Sequence, residues 1–171
     1  AEAGSNHDRN LTQAHLLIDV AAEAGVDAVK FQTFTASKIA ARTRETIAQI
    51  DFGGAKSLYE LYEKSELPRE WLTELYVYAQ KKGLIFLSTP FDLEAVDELD
   101  RLGVAAFKIA SFEAVHLPLL RYAARKGKPI ILSTGMALRS RQAVPLDSLL
   151  VVLRHAKTVL IRQPKMGLRG G

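Results

Sequence analysis

Gly103-Val104-Ala105-Ala106-Phe107-Lys108-Ile109-Ala110-Ser111-Phe112-Glu113 is a glycine, an apolar run holding one lysine, and a polar end. An unbroken apolar run of this length, entered from a glycine, reads as a buried parallel strand. A lysine inside it must be neutralised, pair, or meet an anion. The same order of residue types occurs at Gly25-Val26-Asp27-Ala28-Val29-Lys30-Phe31-Gln32-Thr33. Two lysines in equivalent places predict a shared anionic ligand.

Working outward, the spacing predicts an amphipathic helix over 10–25 with Leu11, Ala14, His15, Ile18, Ala21 and Ala22 on its stripe. A long connection over 34–56 carries a helical patch around Ile39–Ile50, and a connection of that length reads as a lid or binding loop. A short helix around Ser57–Lys64 precedes a longer one from Pro68 to Lys82 with Trp71, Leu72, Leu75, Tyr76 and Ala79 facing the core. Strand Leu84–Thr89, helix Leu93–Leu102 capped by Asp92, strand Ala105–Ala110, a helix near 118–126 and strand Pro129–Ser133 follow. A helix within Val144–His155 and a last strand at Thr158–Arg162 close the pattern.

Helix, glycine, strand and polar turn therefore recur, with glycines at 25, 83, 103 and 127. Strands alternating with helices imply a parallel sheet with right-handed crossovers, either doubly wound or a (β/α)8 barrel. No glycine-rich dinucleotide fingerprint follows a strand, which counts against the doubly wound form. Polar residues end every strand (Glu2; Lys30 with Gln32; Ser88 with Thr89; Lys108 with Ser111; Ser133 with Thr134), as in a barrel whose chemistry sits at strand C-termini. The expectation is an α/β chain forming part of a TIM-type (β/α)8 barrel, about five to six βα units of one domain over 1–171, with the first strand beginning upstream of Ala1.

Composition narrows the function classes. Among 171 residues, 48% are hydrophobic and 25% charged, the balance of a globular domain with a real core. The net charge of +4 is spread out, with no basic tract for nucleic acid. There is no cysteine, so disulfides and thiolate metal sites are excluded, and a cytoplasmic location is expected. No apolar run suggests a membrane span or a signal peptide.

Small neighbours on the same strand faces leave room around Lys30 and Lys108, and the hydroxyls of Thr89, Ser111 and Ser133 would complete a cradle for a phosphate or carboxylate. The plainer alternative is that each lysine pairs with a nearby carboxylate. Glu2 and Glu113, at strand ends beside them, suit either a general acid or base or that pairing role. Asn6 and His7 follow the first strand, and Phe91 and Phe112 sit at strand-to-helix turns where they line a pocket or pack under a loop. The four histidines do not combine into a metal site.

Five motifs stand in order: Glu2-Ala3-Gly4-Ser5-Asn6-His7, Val29-Lys30-Phe31-Gln32-Thr33, Leu87-Ser88-Thr89-Pro90-Phe91-Asp92, Phe107 to Glu113, and Gly127-Lys128-Pro129-Ile130-Ile131-Leu132-Ser133-Thr134-Gly135-Met136. Together they resemble the sialic acid synthase family, the nonulosonic acid synthases, over roughly 1–137. The resemblance implies condensation of phosphoenolpyruvate with an N-acylated amino sugar such as N-acetylmannosamine, with release of phosphate. It implies a divalent metal (manganese or magnesium) and a homodimer in which an antifreeze-like domain reaches the partner's active site. Carried over by motif, Lys30, Thr89, Lys108 and Ser111 would bind phosphoenolpyruvate, Gln32, Phe91 and Glu113 would face the sugar, and Glu2, Asn6 and His7 would lie near the metal and the reacting carbons. Ser133 stays a candidate from its place in the cradle.

The likeness also has departures. Phe112 stands where sialic acid synthases carry glycine, a form closer to the pseudaminic branch, while Phe31 and Phe34 look like the sialic branch. Gln163-Pro164-Lys165-Met166-Gly167 departs from the family's turn after the sixth strand. The later strands with metal-binding histidines and the antifreeze-like domain are expected to lie outside this sequence, and full activity is not expected of the fragment. A lysine Schiff-base aldolase and a non-catalytic phosphate- or sugar-binding remnant are the alternatives.

Overall fold

In a computed structural model covering residues 1–42, 57–133 and 158–161, the elements alternate as the glycine punctuation predicts. Strand β1 (Glu2–Gly4) leads to helix α1 (Leu11–Glu23), and β2 (Ala28–Thr33) to the single turn α2 (Ala36–Ile39). Helices α3 (Leu58–Ser65) and α4 (Leu72–Lys81) precede β3 (Ile85–Pro90) and α5 (Leu93–Leu102). Then come β4 (Phe107–Ile109), α6 (Leu117–Arg125), β5 (Ile130–Ser133) and β6 (Thr158–Ile161). The chain divides into two units, 1–107 and 108–171.

The first unit is built on a parallel sheet of order β1-β2-β3. Its register aligns Glu2 with Lys30, Lys30 with Leu87, and Gln32 with Thr89. Strand alternation then separates two faces. Val29, Phe31 and Thr33 are buried together with Phe86 and Ser88. The rings of Phe31 and Phe86 stack at 5.6 Å, and Tyr76 of α4 meets Phe86 edge-on at 5.9 Å. Burying each of those phenyl rings is worth about 1.5–3 kcal/mol. The helices add Ala14, Ile18 and Ala21 from α1, Leu72, Leu75 and Ala79 from α4, and Ala95, Val96 and Leu99 from α5. The opposite face carries Lys30 and Gln32, which remain partly exposed.

Helix ends follow local chemistry. Asn10 caps α1 by accepting from Gln13 N at 3.1 Å, and Asp92 caps α5 by accepting from Ala95 N at 2.8 Å. Gly103 ends α5 at φ 79°, a left-handed position that a Cβ disfavours.

The second unit is organised around the sheet of order β4-β5-β6, in which β5 and β6 run parallel from Ile130–Thr158 to Ser133–Ile161. Helix α6, with Pro118 in its first turn, buries Leu119, Leu120, Ala123 and Ala124.

Some expectations shift. Pro68 opens not an α-helix but a 3-10 turn, Arg69–Trp71, before α4 begins. The strand expected over 105–110 forms ladder bonds only at Phe107–Ile109. The helical patch expected around Ile39–Ile50 ends at Ile39 in its described part, and residues 43–50 lie outside the described residues. So do the helix expected within 144–155, Thr134, and the 163–167 turn.

Candidate active site

The first group of candidate residues lies on the lysine-bearing face of the β1-β2-β3 sheet. Lys30 Nζ donates to Glu2 Oε2 at 2.5 Å. The lysine side chain is 18% exposed and the glutamate 54%, so the pair sits at an open strand end. The plainer reading of Lys30 therefore holds in this structure: it already has a carboxylate partner. Because Glu2 is half in water, that partner holds the ammonium weakly and leaves it able to meet a second anion. One register step along, Thr89 (2% exposed) lies beside Gln32. Ser5 Oγ donates to Gln32 Oε1 at 3.4 Å. Ser5 is a residue of this face that its sequence context does not single out, although it lies inside the Glu2–His7 motif.

Ser88 belongs elsewhere. Alternation turns it to the helix side, where its hydroxyl meets Thr33 Oγ1 at 2.7 Å in a buried pair. Phe91 is partly buried and packs edge-on against Phe34 at 5.6 Å.

Asn6 and His7 occupy the turn after β1. Asn6 is exposed, and its backbone N–H donates to Ala3 O at 3.1 Å. His7 is fully buried, with Nδ1 accepting from Arg9 N at 3.1 Å and its ring edge-on to Trp71 at 6.3 Å. Burial pushes the His7 imidazole below its ordinary pKa, assisted by Arg9 and opposed by Asp8. The turn closes with Asn10 N donating to His7 O at 2.8 Å, and Asp8 and Arg9 take φ of 49° and 50°. Two consecutive left-handed residues define a type I′ turn. Asp8→Val should therefore cost about 1–2 kcal/mol because a β-branched side chain is strained there, while Asp8→Gly should be near neutral; urea unfolding of both variants checks this.

The second group lies in the unit from Lys108 onward. Lys108 Nζ donates to Ser133 Oγ at 2.7 Å and to Ile109 O at 3.0 Å. Ser133 ends β5, so the structure brings together the lysine and one hydroxyl of the expected cradle. Ser111 is partly exposed just past β4. Glu113 opens a 3-10 turn, Glu113–Val115, and its Oε2 is buried without a described hydrogen-bond partner. Burial pushes its carboxyl above the ordinary glutamate pKa, against the lowering influence of its own backbone N–H and of the Lys108 ammonium. Phe112 is 70% exposed, so it does not line a closed pocket within its unit.

The raised Glu113 pKa has a stability consequence. The folded state holds this proton more tightly than the unfolded chain. Its contribution is thus fully present below the ordinary glutamate pKa and is lost as pH rises through the raised folded value. Glu113→Gln should flatten stability across that mildly acidic window and be relatively more stable above it. Thermal melts from pH 4 to pH 8 check the difference.

Among the described residues, no three His, Cys, Asp or Glu side chains cluster to hold a metal. His7 uses Nδ1 as an acceptor, and Glu2 is paired with Lys30. The described residues thus do not supply the donor set of the implied metal.

Parallel strands alternating with helices, with polar side chains at the strand ends, are the pattern of a barrel-type α/β fold rather than a dinucleotide-binding one. The sequence pattern of the NeuB family matches residues 17–160, and the chain belongs to that family. It is 47% identical over 137 residues to the spore coat polysaccharide biosynthesis protein SpsE of Bacillus subtilis, covering 80% of this chain and 36% of that protein. It is 45% identical over 139 residues to the N,N'-diacetyllegionaminic acid synthase of Campylobacter jejuni, covering 80% of this chain and 42% of that protein. The solved N-acetylneuraminic acid synthetase of Leptospira borgpetersenii, in complex with citrate, superposes with a TM-score of 0.78 at 30% identity, over 95% of this chain and 52% of that one. The chain thus spans about two fifths of the curated relatives it matches. The fold is the expected (β/α) barrel class, present in part.

Proposed function

We propose that this chain carries part of the active site of a nonulosonic acid synthase. It would condense phosphoenolpyruvate with an N-acylated amino sugar and release phosphate. The observation that carries the reading is the lysine-bearing face of β2, where Glu2–Lys30 and Gln32–Thr89 form adjacent rows at strand ends. Membership of the NeuB family supports the same reaction class.

In this reading Lys30 and Lys108 supply the cations for phosphoenolpyruvate, with Thr89, Ser111 and Ser133 as hydroxyl donors. Gln32, Phe91 and Asn6 serve the amino sugar. The methylene carbon of phosphoenolpyruvate attacks the aldehyde carbon of the open-chain sugar, and a carbon–carbon bond forms. The aldehyde oxygen takes a proton, and water adds to the resulting oxocarbenium carbon. The tetrahedral intermediate then loses phosphate. Glu113, whose buried carboxyl is biased toward its protonated form, suits proton transfer to the sugar oxygen, and Glu2 suits removal of the water proton. A homodimer is part of the same proposal. No helix among the described residues is long and apolar enough to cross a membrane.

A Schiff-base aldolase fits less well. Both ammonium groups already donate to oxygen acceptors, the geometry of charge recognition rather than of an amine nucleophile. Phosphate release from phosphoenolpyruvate, with manganese and either N-acetylmannosamine or diacetamido sugars, tests the reading. Release that requires the sugar supports it. Borohydride trapping of a carbonyl substrate without any phosphate release contradicts it.

A further inference from the structure

Arg69 lies outside every motif, yet its guanidinium joins three segments of the first unit. Nη1 donates to Glu98 Oε2 at 2.6 Å, and Nη2 to Asp92 Oδ2 at 2.6 Å and Thr35 Oγ1 at 3.3 Å. Thr35 lies two residues beyond β2, Asp92 two residues beyond β3, and Glu98 within α5. Each loop partner is the chain neighbour of an aromatic ring: Thr35 follows Phe34, and Asp92 follows Phe91. Those two rings meet edge to face at 5.6 Å, and Phe91 N donates to Thr33 O at 3.2 Å. Asp92 meanwhile holds the start of α5 through Ala95 N. The Arg69 side chain is only 22% exposed, so water competes weakly for these contacts. A planar fork satisfying two carboxylates at once fixes direction as well as distance, which a lysine cannot do.

We propose that Arg69 is a positioning residue that sets the loops after β2 and β3, and through them the Phe34–Phe91 pair, at the rim of the face bearing Gln32 and Thr89, where the amino sugar enters. The role in sugar entry rests on the function proposed above; the positioning itself does not. Arg69 touches no substrate. It acts through Asp92 and Thr35, whereas its bond to Glu98 only braces the helix side.

The test compares Arg69→Gln, Arg69→Lys and Glu98→Gln in the full chain by two readouts. The first is amide hydrogen exchange at Phe91 and Ala95. Arg69→Gln should speed exchange there about tenfold or more, and Glu98→Gln should leave it within about twofold. The second is steady-state phosphate release. Arg69→Gln should raise the sugar KM about tenfold with the phosphoenolpyruvate KM within about twofold, and Arg69→Lys should fall between it and wild type. Unchanged exchange at Phe91 in Arg69→Gln overturns the proposal. Equal effects of Glu98→Gln and Arg69→Gln on the sugar KM also overturn it, because Arg69 would then matter only for stability. If Arg69→Gln does not fold, Arg69→Lys decides: faster Phe91 exchange supports positioning, and wild-type exchange refutes it. A wild-type chain that neither binds phosphoenolpyruvate nor turns over sugar removes the proposed function, while exchange at Phe91 still decides on Arg69.

Discussion

Lys30→Met should weaken phosphoenolpyruvate binding by about 30-fold or more while leaving the fold intact. A charge-assisted bond from an ammonium to phosphate or carboxylate is worth about 1.5–3 kcal/mol, and removing the cation from a partly desolvated site leaves the ligand's charge uncompensated. The structural cost is small because Glu2 is 54% exposed and returns to water when its partner is lost. Loss of such a half-exposed pair costs under about 1 kcal/mol. The methylene stem of the lysine is retained by methionine, so packing against the strand is preserved. Calorimetric titration with phosphoenolpyruvate, beside a urea unfolding curve, separates the two effects. Methionine's flexible side chain makes the control sharper than alanine.

Phe31→Ala, one residue further along the same strand, should do the reverse. Phe31 is fully buried and stacked on Phe86, and its removal should cost about 3–5 kcal/mol of stability through lost burial and the cavity left behind. That is a large share of the 5–15 kcal/mol typical of a domain. The variant should unfold at markedly lower urea with an unchanged slope. Any folded fraction should still bind phosphoenolpyruvate, because Phe31 faces the helices and Lys30 the other side. Adjacent residues giving opposite phenotypes would be the mark of strand alternation placing chemistry on one face and core on the other.

Much of this was legible in the sequence because period and punctuation are local properties. Gly25, Gly83, Gly103 and Gly127 all take positive φ, as expected for residues closing helices. Lys30 and Lys108 read as misplaced cations because each interrupts an apolar run, and each does find oxygen acceptors. What was not legible depends on contacts between distant segments. Nothing around Arg69 signals that it will bridge Asp92 and Glu98, 23 and 29 residues away. His7 looked like an isolated loop histidine, and only the packing of Trp71 over it shows that it is buried. Ser88 and Thr89 looked alike as polar strand ends. The register with β2 separates them, giving Ser88 to the core pair with Thr33 and Thr89 to the candidate site. Phe112 illustrates a further limit: its residue type was informative, but its 70% exposure depends on the loop geometry after β4.

In the proposed function, Lys30 and Lys108 are each a cation that receives phosphoenolpyruvate. The most direct measurement is calorimetric titration of phosphoenolpyruvate into wild type, Lys30→Met and Lys108→Met under identical salt. The expected result is a loss of about 30-fold or more in affinity for each variant. Wild-type affinity in either folded variant would contradict it.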